Sequence, residues 1–198
     1  MLKRTFDLTL GSLLVIGAVP LLLFVALAIR ATDSSPVLFR QVRVGKDGAR
    51  FTLIKFRTMR VVPDGGPVSQ FQPGETSRVS KIGALLRRTK LDELPQLWNV
   101  LRGDMSLVGP RPEVERWTSE YPELWQVVHT VRPGLTDLAS IEFRDEERLL
   151  AGAADPDVMY RDVILPRKLQ LAVRYINERS LPGDVMILAH TAWAVVAR

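Results

Sequence analysis

The chain opens on an apolar run too continuous to be one face of a globular helix. From Leu8 to Ile29 there are 22 residues without a charge, close to the length a helix needs to cross a bilayer. Pro20 interrupts the run. Proline removes a backbone hydrogen bond and crowds the preceding turn, leaving pieces of 12 and 9 residues. At about 18 and 14 Å of helix, neither is long enough to span alone. Three readings follow. A secretory signal has Lys3 and Arg4 before the run and Ala26-Leu27-Ala28 as a cleavage-like site, but Asp7 and the length count against it. The others are a single spanning helix and a helix bent at Pro20 that enters one leaflet and returns. Lys3 and Arg4 before the run and Arg30 after it suit two cytoplasmic ends. Backbone groups freed at the bend would need Ser12 or packed protein. The segment alone leaves the spanning and re-entrant forms open.

Past Pro36 the period shortens. "VLFRQVRVGKDGARFTLIKFRTM", residues 37 to 59, sets two β-rich runs around a Gly-Lys-Asp-Gly turn and predicts a hairpin. On its second strand Lys55 and Arg57 share a face, about 6 to 7 Å apart by strand rise. They are either an ordinary solvated face or two cations set for phosphate oxygens, a role that suits arginine's fork. Residues 61 to 78, rich in Gly and Pro, predict a loop that moves. A helix resumes over "SKIGALLRRTK", with Ile82, Leu85 and Leu86 on one side. Arg87, Arg88 and Lys90 gather at its end, where cations complement the helix dipole.

Farther on, "VERWTSEYPELWQVVHTV" is helical in part. Its Trp117, Tyr121 and Trp125, spaced by four, suit either core packing or a headgroup-level belt. "RPGLTDLASIEFRDEERLL" combines a turn, a short strand and an acidic helix start. "LPRKLQLAVRYINERS" predicts an amphipathic helix, and the apolar tail "VMILAHTAWAVVAR" a buried or interfacial one.

Composition narrows the chemistry. Without cysteine there is no disulfide, thiol nucleophile or thiolate metal site, and two histidines make a His-rich zinc site or a Ser-His-Asp triad a poor expectation. Carboxylates, hydroxyls, lysines and arginines remain, and a metal among them would be a hard ion such as magnesium. A net charge of +5 points to anionic partners: nucleic acid, nucleotide phosphates or an acidic membrane.

Into this basic chain "LDELPQLWNVLRGDMSLVGPRP", residues 91 to 112, sets two adjacent acids. Pro95 is comfortable only in a first helical turn, so Asp92 and Glu93 fall where the helix dipole is positive. They are either a cap and a first-turn acid, or working carboxylates kept ionised there. In the second case one acid holds a cation while its neighbour faces an electrophile. The closing Gly-Pro-Arg-Pro fixes the backbone around Arg111, the pre-organisation that a phosphate site needs.

Taken in order, "KRTFDL", the proline-interrupted apolar segment, "KFRTM" at 55 to 59 and the 91–112 stretch resemble the bacterial sugar transferases that load lipid carriers, the monotopic phosphoglycosyl transferases. The resemblance covers nearly the whole chain. It implies transfer of a sugar-1-phosphate from a nucleotide-diphosphate sugar, a UDP-sugar by expectation, to polyprenyl (undecaprenyl) phosphate, an early membrane step of a bacterial glycan pathway. Asp92 matches the nucleophile that carries a covalent phosphosugar, and Glu93 the acid that holds Mg²⁺, with Asp92 beside it. Arg111, Lys55, Arg57, Arg87 and Arg144 are the candidates for phosphate charge. The implied architecture is α+β. Residues 1–30 form a re-entrant membrane helix bent at Pro20. Residues 31–198 form a catalytic domain with a small β-hairpin, mostly helical and with interfacial amphipathic helices. Both work as one unit on the cytoplasmic face of the bacterial inner membrane. Larger relatives precede this minimal form with a bundle of spanning helices.

One stretch departs from the family pattern. Where many members have a Gly, a Trp and a Gln, residues 134–147 carry Asp137, Leu138 and Ser140, while Arg144 keeps its place. The identity of the sugar and base is therefore open, as are the glycan pathway and the oligomeric state, a homodimer among the options. Asp184 is a further candidate for supporting the site. Two other readings compete with the enzyme: a non-catalytic membrane-anchored scaffold of the same fold, and a basic nucleic-acid-binding domain. The second has no recognised motif and makes poor sense of 22 apolar residues, so no nucleic-acid partner is expected.

Overall fold

The computed structural model describes residues 1–32, 36–60 and 77–197; residues 61–76 of the expected loop lie outside them. The chain is α+β and mostly helical. Helix α1 (Leu2–Thr32) is a single element with Pro20 inside it, so the helix does not end where the sequence predicts a break. A narrow stripe of Asp7, Gly11, Val25 and Ile29 is buried. Leu13, Ile16, Leu23, Phe24 and Leu27 are each at least 62% exposed. The most apolar 18 residues have a mean hydropathy of 2.8, and α1 is long and apolar enough to cross a membrane. Such a surface marks α1 as the membrane-associating element.

Both ends of α1 are fastened to the rest of the chain. At its start Arg4 donates to the carbonyls of Val100 and Leu101 at 2.6 and 2.9 Å. Lys3 bridges Asp7 at 3.2 Å and Asp184 at 2.9 Å. Asp7 in turn accepts from the Ser106 hydroxyl and the Leu107 amide, and Asp184 from the Tyr175 hydroxyl at 2.8 Å. At the far end Val25 and Ile29 pack on Phe56 and Leu86. Asp184 thus serves as an anchor for α1. Asp184→Ala leaves Lys3 only Asp7 and Tyr175 only the Val108 carbonyl and is expected to cost roughly 1–2 kcal/mol, read as a lowered urea midpoint in detergent; an unchanged midpoint would refute the anchoring role.

Strands β1 (Leu38–Val44) and β2 (Arg50–Phe56) form the predicted antiparallel hairpin, pairing Leu38 with Phe56 through Val44 with Arg50. The turn needs two positive-φ residues, Asp47 and Gly48, both suited to it. Next come α2 (Lys81–Arg88), a 3₁₀ turn (Leu91–Gln96) and α3 (Leu97–Arg102). In α2 Leu86 is buried, but Leu85 is 56% exposed, off the side where the sequence places it. Strand β3 (Ser106–Val108) pairs in parallel with β4 (Gly134–Thr136). Beyond β3 the backbones of Gly109 and Gly134 meet. A side-chain carbon on Gly134 would lie 2.1 Å from the Gly109 amide nitrogen, so only glycine fits.

The C-terminal half is helical: α4 (Glu115–Thr118), α5 (Pro122–Val128), α6 (Leu138–Glu142), α7 (Glu146–Ala151), α8 (Pro156–Met159), a π turn (Tyr160–Ile164), α9 (Leu165–Glu178) and α10 (Leu181–Val196). The aromatic stripe is not one helix, because Pro122 starts α5 and Tyr121 is left-handed. Trp117 and Trp125 are buried in a core with Tyr160, Leu165 and Leu169, not displayed for headgroups.

Candidate active site

The acids sit on the 3₁₀ turn that joins α2 to α3. Lys90 enters it in a left-handed conformation, φ 56 and ψ 14, which is uncommon for a side-chain-bearing residue and typical of functional sites. Pro95 lies inside this turn, where its missing N–H interrupts no α-helical ladder. Asn99, fully buried on α3, fixes the turn against β2: its amide accepts from the Ile54 N–H at 3.2 Å and donates to the Thr52 carbonyl at 2.8 Å. The acids are thereby laid over the strand that carries Lys55.

The sequence predicts two carboxylates kept ionised by a helix dipole. The structure divides them. Asp92 is 5% exposed, and one of its oxygens, Oδ1, is buried with no hydrogen-bond partner. Burial, followed by repulsion from Glu93, pushes its pKa up to about 6 against the pull of Lys55, Lys90 and Arg87. Desolvation outweighs any benefit of the short 3₁₀ turn. For Glu93 burial alone would also raise the pKa, but Arg111, Lys90 and Lys55 together overcome it and hold it near 2. The Arg111 fork accounts for much of this, with Nη2 2.6 Å from Oε1 and Nη1 3.4 Å from Oε2. Lys55 is itself lowered to about 8 by burial, despite both acids, and stands 5.4 Å from the Phe39 ring centroid.

Arg111 is held from three directions. Its own amide donates to Asp137 Oδ2 at 3.2 Å. Arg43 on β1 donates to the Pro112 carbonyl at 3.0 Å and to Glu113 at 3.1 Å. Glu113 also accepts from the Tyr160 hydroxyl at 2.5 Å, and Lys168 lies 3.3 Å from that hydroxyl. The π turn brings Tyr160 to this place, a common use of such bulges. Asp137, where the chain departs from the family pattern, also caps α6 by accepting from the Ser140 amide at 2.7 Å. The departing residue therefore joins the Arg111 turn to the next helix.

Of the residues singled out in the sequence, Asp92, Glu93, Lys55, Arg87 and Arg111 come together. Arg87 donates through Nε to the Thr58 hydroxyl at 2.9 Å and pairs with Glu147 at 2.8 Å. Arg57 turns toward β1, with Nη2 3.5 Å from the Leu38 carbonyl. It lines, with Phe39 and Gln41, a cavity of about 940 Å³. Arg144 is exposed, with Nε 3.5 Å from Asp145. Lys90, Arg43, Glu113 and Tyr160 are not among the candidate site residues read from the sequence, and Asp137 figures there only as a departure from the family pattern. Lys90 had a signal, as part of the basic end of α2. Among the described residues no cluster of three or more potential metal ligands occurs; the adjacent pair offers two carboxylates.

Relatives match this chain along nearly its whole length. A UDP-glucose:undecaprenyl-phosphate glucose-1-phosphate transferase of Caulobacter vibrioides is 40% identical over 193 residues, covering 96% of this chain and 67% of that protein. The Escherichia coli protein of the same description is 35% identical over 98% of this chain but 40% of its own length. The uncharacterized sugar transferase EpsL of Bacillus subtilis is 38% identical over 98% of this chain and 87% of its own. This chain thus spans well under half of the E. coli relative and about two thirds of the Caulobacter one. A family model described as bacterial sugar transferase matches residues 1–198, and with two adjacent acids, a forked arginine and an apolar leading helix in place, the chain belongs to that family.

Proposed function

We propose that this chain moves a sugar-1-phosphate from a UDP-sugar to undecaprenyl phosphate through a covalent intermediate on Asp92. The observation that carries this reading is the buried, unpartnered Asp92 oxygen beside a Glu93 that Arg111 holds ionised. The names of the relatives supply the substrates. A deprotonated Asp92 oxygen attacks the sugar-bearing phosphorus. The bond from that phosphorus to the bridging oxygen breaks, and UMP leaves with the electron pair. An oxygen of undecaprenyl phosphate then attacks the same phosphorus and releases Asp92. Dividing the transfer this way gives ping-pong kinetics. Lys55, Lys90 and Arg87 surround Asp92 and balance charge on the phosphoryl oxygens.

Mg²⁺ fits the donor set. This ion takes one or two carboxylates and completes its shell with phosphates and water. Asp92 Oδ1 has no competing donor, and the Glu93 oxygens keep lone pairs beyond those Arg111 uses. When bound it supplies neutralising charge between the anionic nucleophile and the diphosphate.

The same reading makes α1 re-entrant on the cytoplasmic face of the inner membrane. Its two ends pack on one folded body, Lys3 on Asp184 and Ile29 beside Phe56 and Leu86. A straight span would carry them to opposite sides. The chain has no cysteine, so single cysteines introduced at Met1 and Thr32 report sidedness directly. Both are expected to react with an impermeant maleimide only after the inner membrane is opened; periplasmic labelling of either would contradict re-entry.

The chemical proposal is tested by incubating the enzyme with UDP-glucose labelled in the sugar and Mg²⁺, without lipid. The protein is expected to gain and keep about one label per chain as UMP appears stoichiometrically, and to lose it when undecaprenyl phosphate is added. If other UDP-sugars label and glucose does not, the sugar is identified and the mechanism stands. If UMP release requires the lipid with every UDP-sugar tried, the covalent route is wrong.

A further inference from the structure

A second polar cavity lies away from the acids. It measures about 430 Å³ and is lined by Lys3, Lys46, Arg132, Arg179, Asp7 and Asp184 among others. It includes none of Asp92, Glu93, Lys55, Arg87 or Arg111. Four cations face two carboxylates here, and the carboxylates are already committed. Asp7 is taken by Lys3, the Ser106 hydroxyl and the Leu107 amide, and Asp184 by Lys3 and Tyr175. The remaining cations are at the rim. Arg179 is exposed and has no carboxylate partner among the described residues. Arg132 uses only Nε, on the Gly103 carbonyl at 2.8 Å. Lys46 reaches no closer than 3.5 Å to the exposed Asp47. The start of α10 closes one side through Ser180 and Leu181.

Position decides what such a site would meet. Lys3 is in the first turn of α1, and the uncharged run begins five residues later, about 7.5 Å along the helix axis. With α1 embedded, the rim of the cavity stands at the depth of the lipid headgroups. We infer that this cavity is a binding site for the phosphate of an anionic membrane phospholipid, separate from the catalytic site. It seats the body against the leaflet that α1 enters. The inference rests on the membrane placement of α1 and does not depend on the chemistry at Asp92.

The test uses the full chain in nonionic detergent, with thermal unfolding followed by tryptophan fluorescence. Phosphatidylglycerol added to the micelles is expected to raise Tm by about 4 °C or more, and phosphatidylcholine to leave it in place. Lys46→Gln/Arg179→Gln, which removes two rim cations that make no buried contact, should lose most of the response and keep its turnover in uncharged detergent. Lys81→Gln/Arg148→Gln, an equal charge change elsewhere on the surface, should respond as wild type. Asp92→Asn should also respond fully, so failure of the transferase mechanism cannot imitate failure here. Equal loss in both double variants would mean general attraction to a basic protein and would overturn the site. So would a wild-type response in the rim variant, or the same Tm rise from inorganic phosphate without lipid. If α1 did not enter membranes, the wild-type chain would fail to float with vesicles of either lipid, a separate outcome that also overturns the inference.

Discussion

Asp92→Asn is expected to lower UMP release by at least about 10³-fold while leaving the chain folded. Asparagine keeps the shape of the side chain and removes the nucleophilic oxygen, so Asn99, Lys55 and the 3₁₀ turn stay in place. Stability supplies a second readout. The folded-state pKa of Asp92 is about 6, above its ordinary 3.8. A carboxyl that ionises less readily when folded costs stability at pH values above its folded pKa, and the cost fades as the pH falls toward the ordinary value. In metal-free buffer at pH 7.5 the asparagine variant should therefore be more stable than wild type, by on the order of 1 kcal/mol, and equal to it near pH 4. Persistent turnover at the wild-type rate in this variant would remove Asp92 from the chemistry. Absence of turnover with every UDP-sugar in both wild type and variant would instead favour the scaffold reading.

Arg111→Ala is expected to damage both stability and transfer. It leaves Glu93, whose side chain is 14% exposed, without its fork. With the Arg111 side chain itself 36% exposed and Lys90 and Lys55 still near Glu93, losing this partner is expected to cost about 1–3 kcal/mol. The pKa of Glu93 is held near 2, so the pair's stabilisation is complete above the ordinary carboxylate range and is lost as the pH falls through 2. The deficit of the alanine variant, followed by urea unfolding without metal, should be full at pH 7 and shrink below pH 4. Transfer should fall by about 10²-fold or more, since a fixed guanidinium beside a phosphoryl centre is lost. Arg111→Lys keeps the charge but not the two-point contact and should fall between. A melting curve for Arg111→Ala that overlays wild type would show that Glu93 does not depend on this arginine.

The local features were legible in the chain because each rests on a short-range rule. The hairpin follows from alternation around Gly45 to Gly48, and the amphipathic α9 from its period. The placement of Asp92 and Glu93 in a first turn follows from what Pro95 can tolerate. What stayed hidden depends on distant partners. No periodicity shows that Asn99 reaches Thr52 and Ile54, or that Arg43 reaches Pro112 across 69 residues. The upward shift of the Asp92 pKa stayed hidden for the same reason: the dipole is local, whereas burial is decided by everything packed above the turn. For the aromatic stripe the core-packing reading holds for Trp117 and Trp125, but the spacing does not show that Pro122 divides it or that Tyr160, 35 residues beyond Trp125, completes the cluster. Asp137 looked like a lost contact in the sequence. In the fold it has two hydrogen bonds of its own.

The contact of Gly109 with Gly134 also makes the Arg111 bend depend on a distant segment. The acids, Lys55 and Asn99 belong to residues before 100, and their mutual contacts close within that span. The Arg111 bend takes its shape only once the backbone near 134 has arrived and Asp137 has followed it. A chain cut just short of residue 134 should therefore lack the shaped Arg111 bend and, with it, the grip proposed for phosphate.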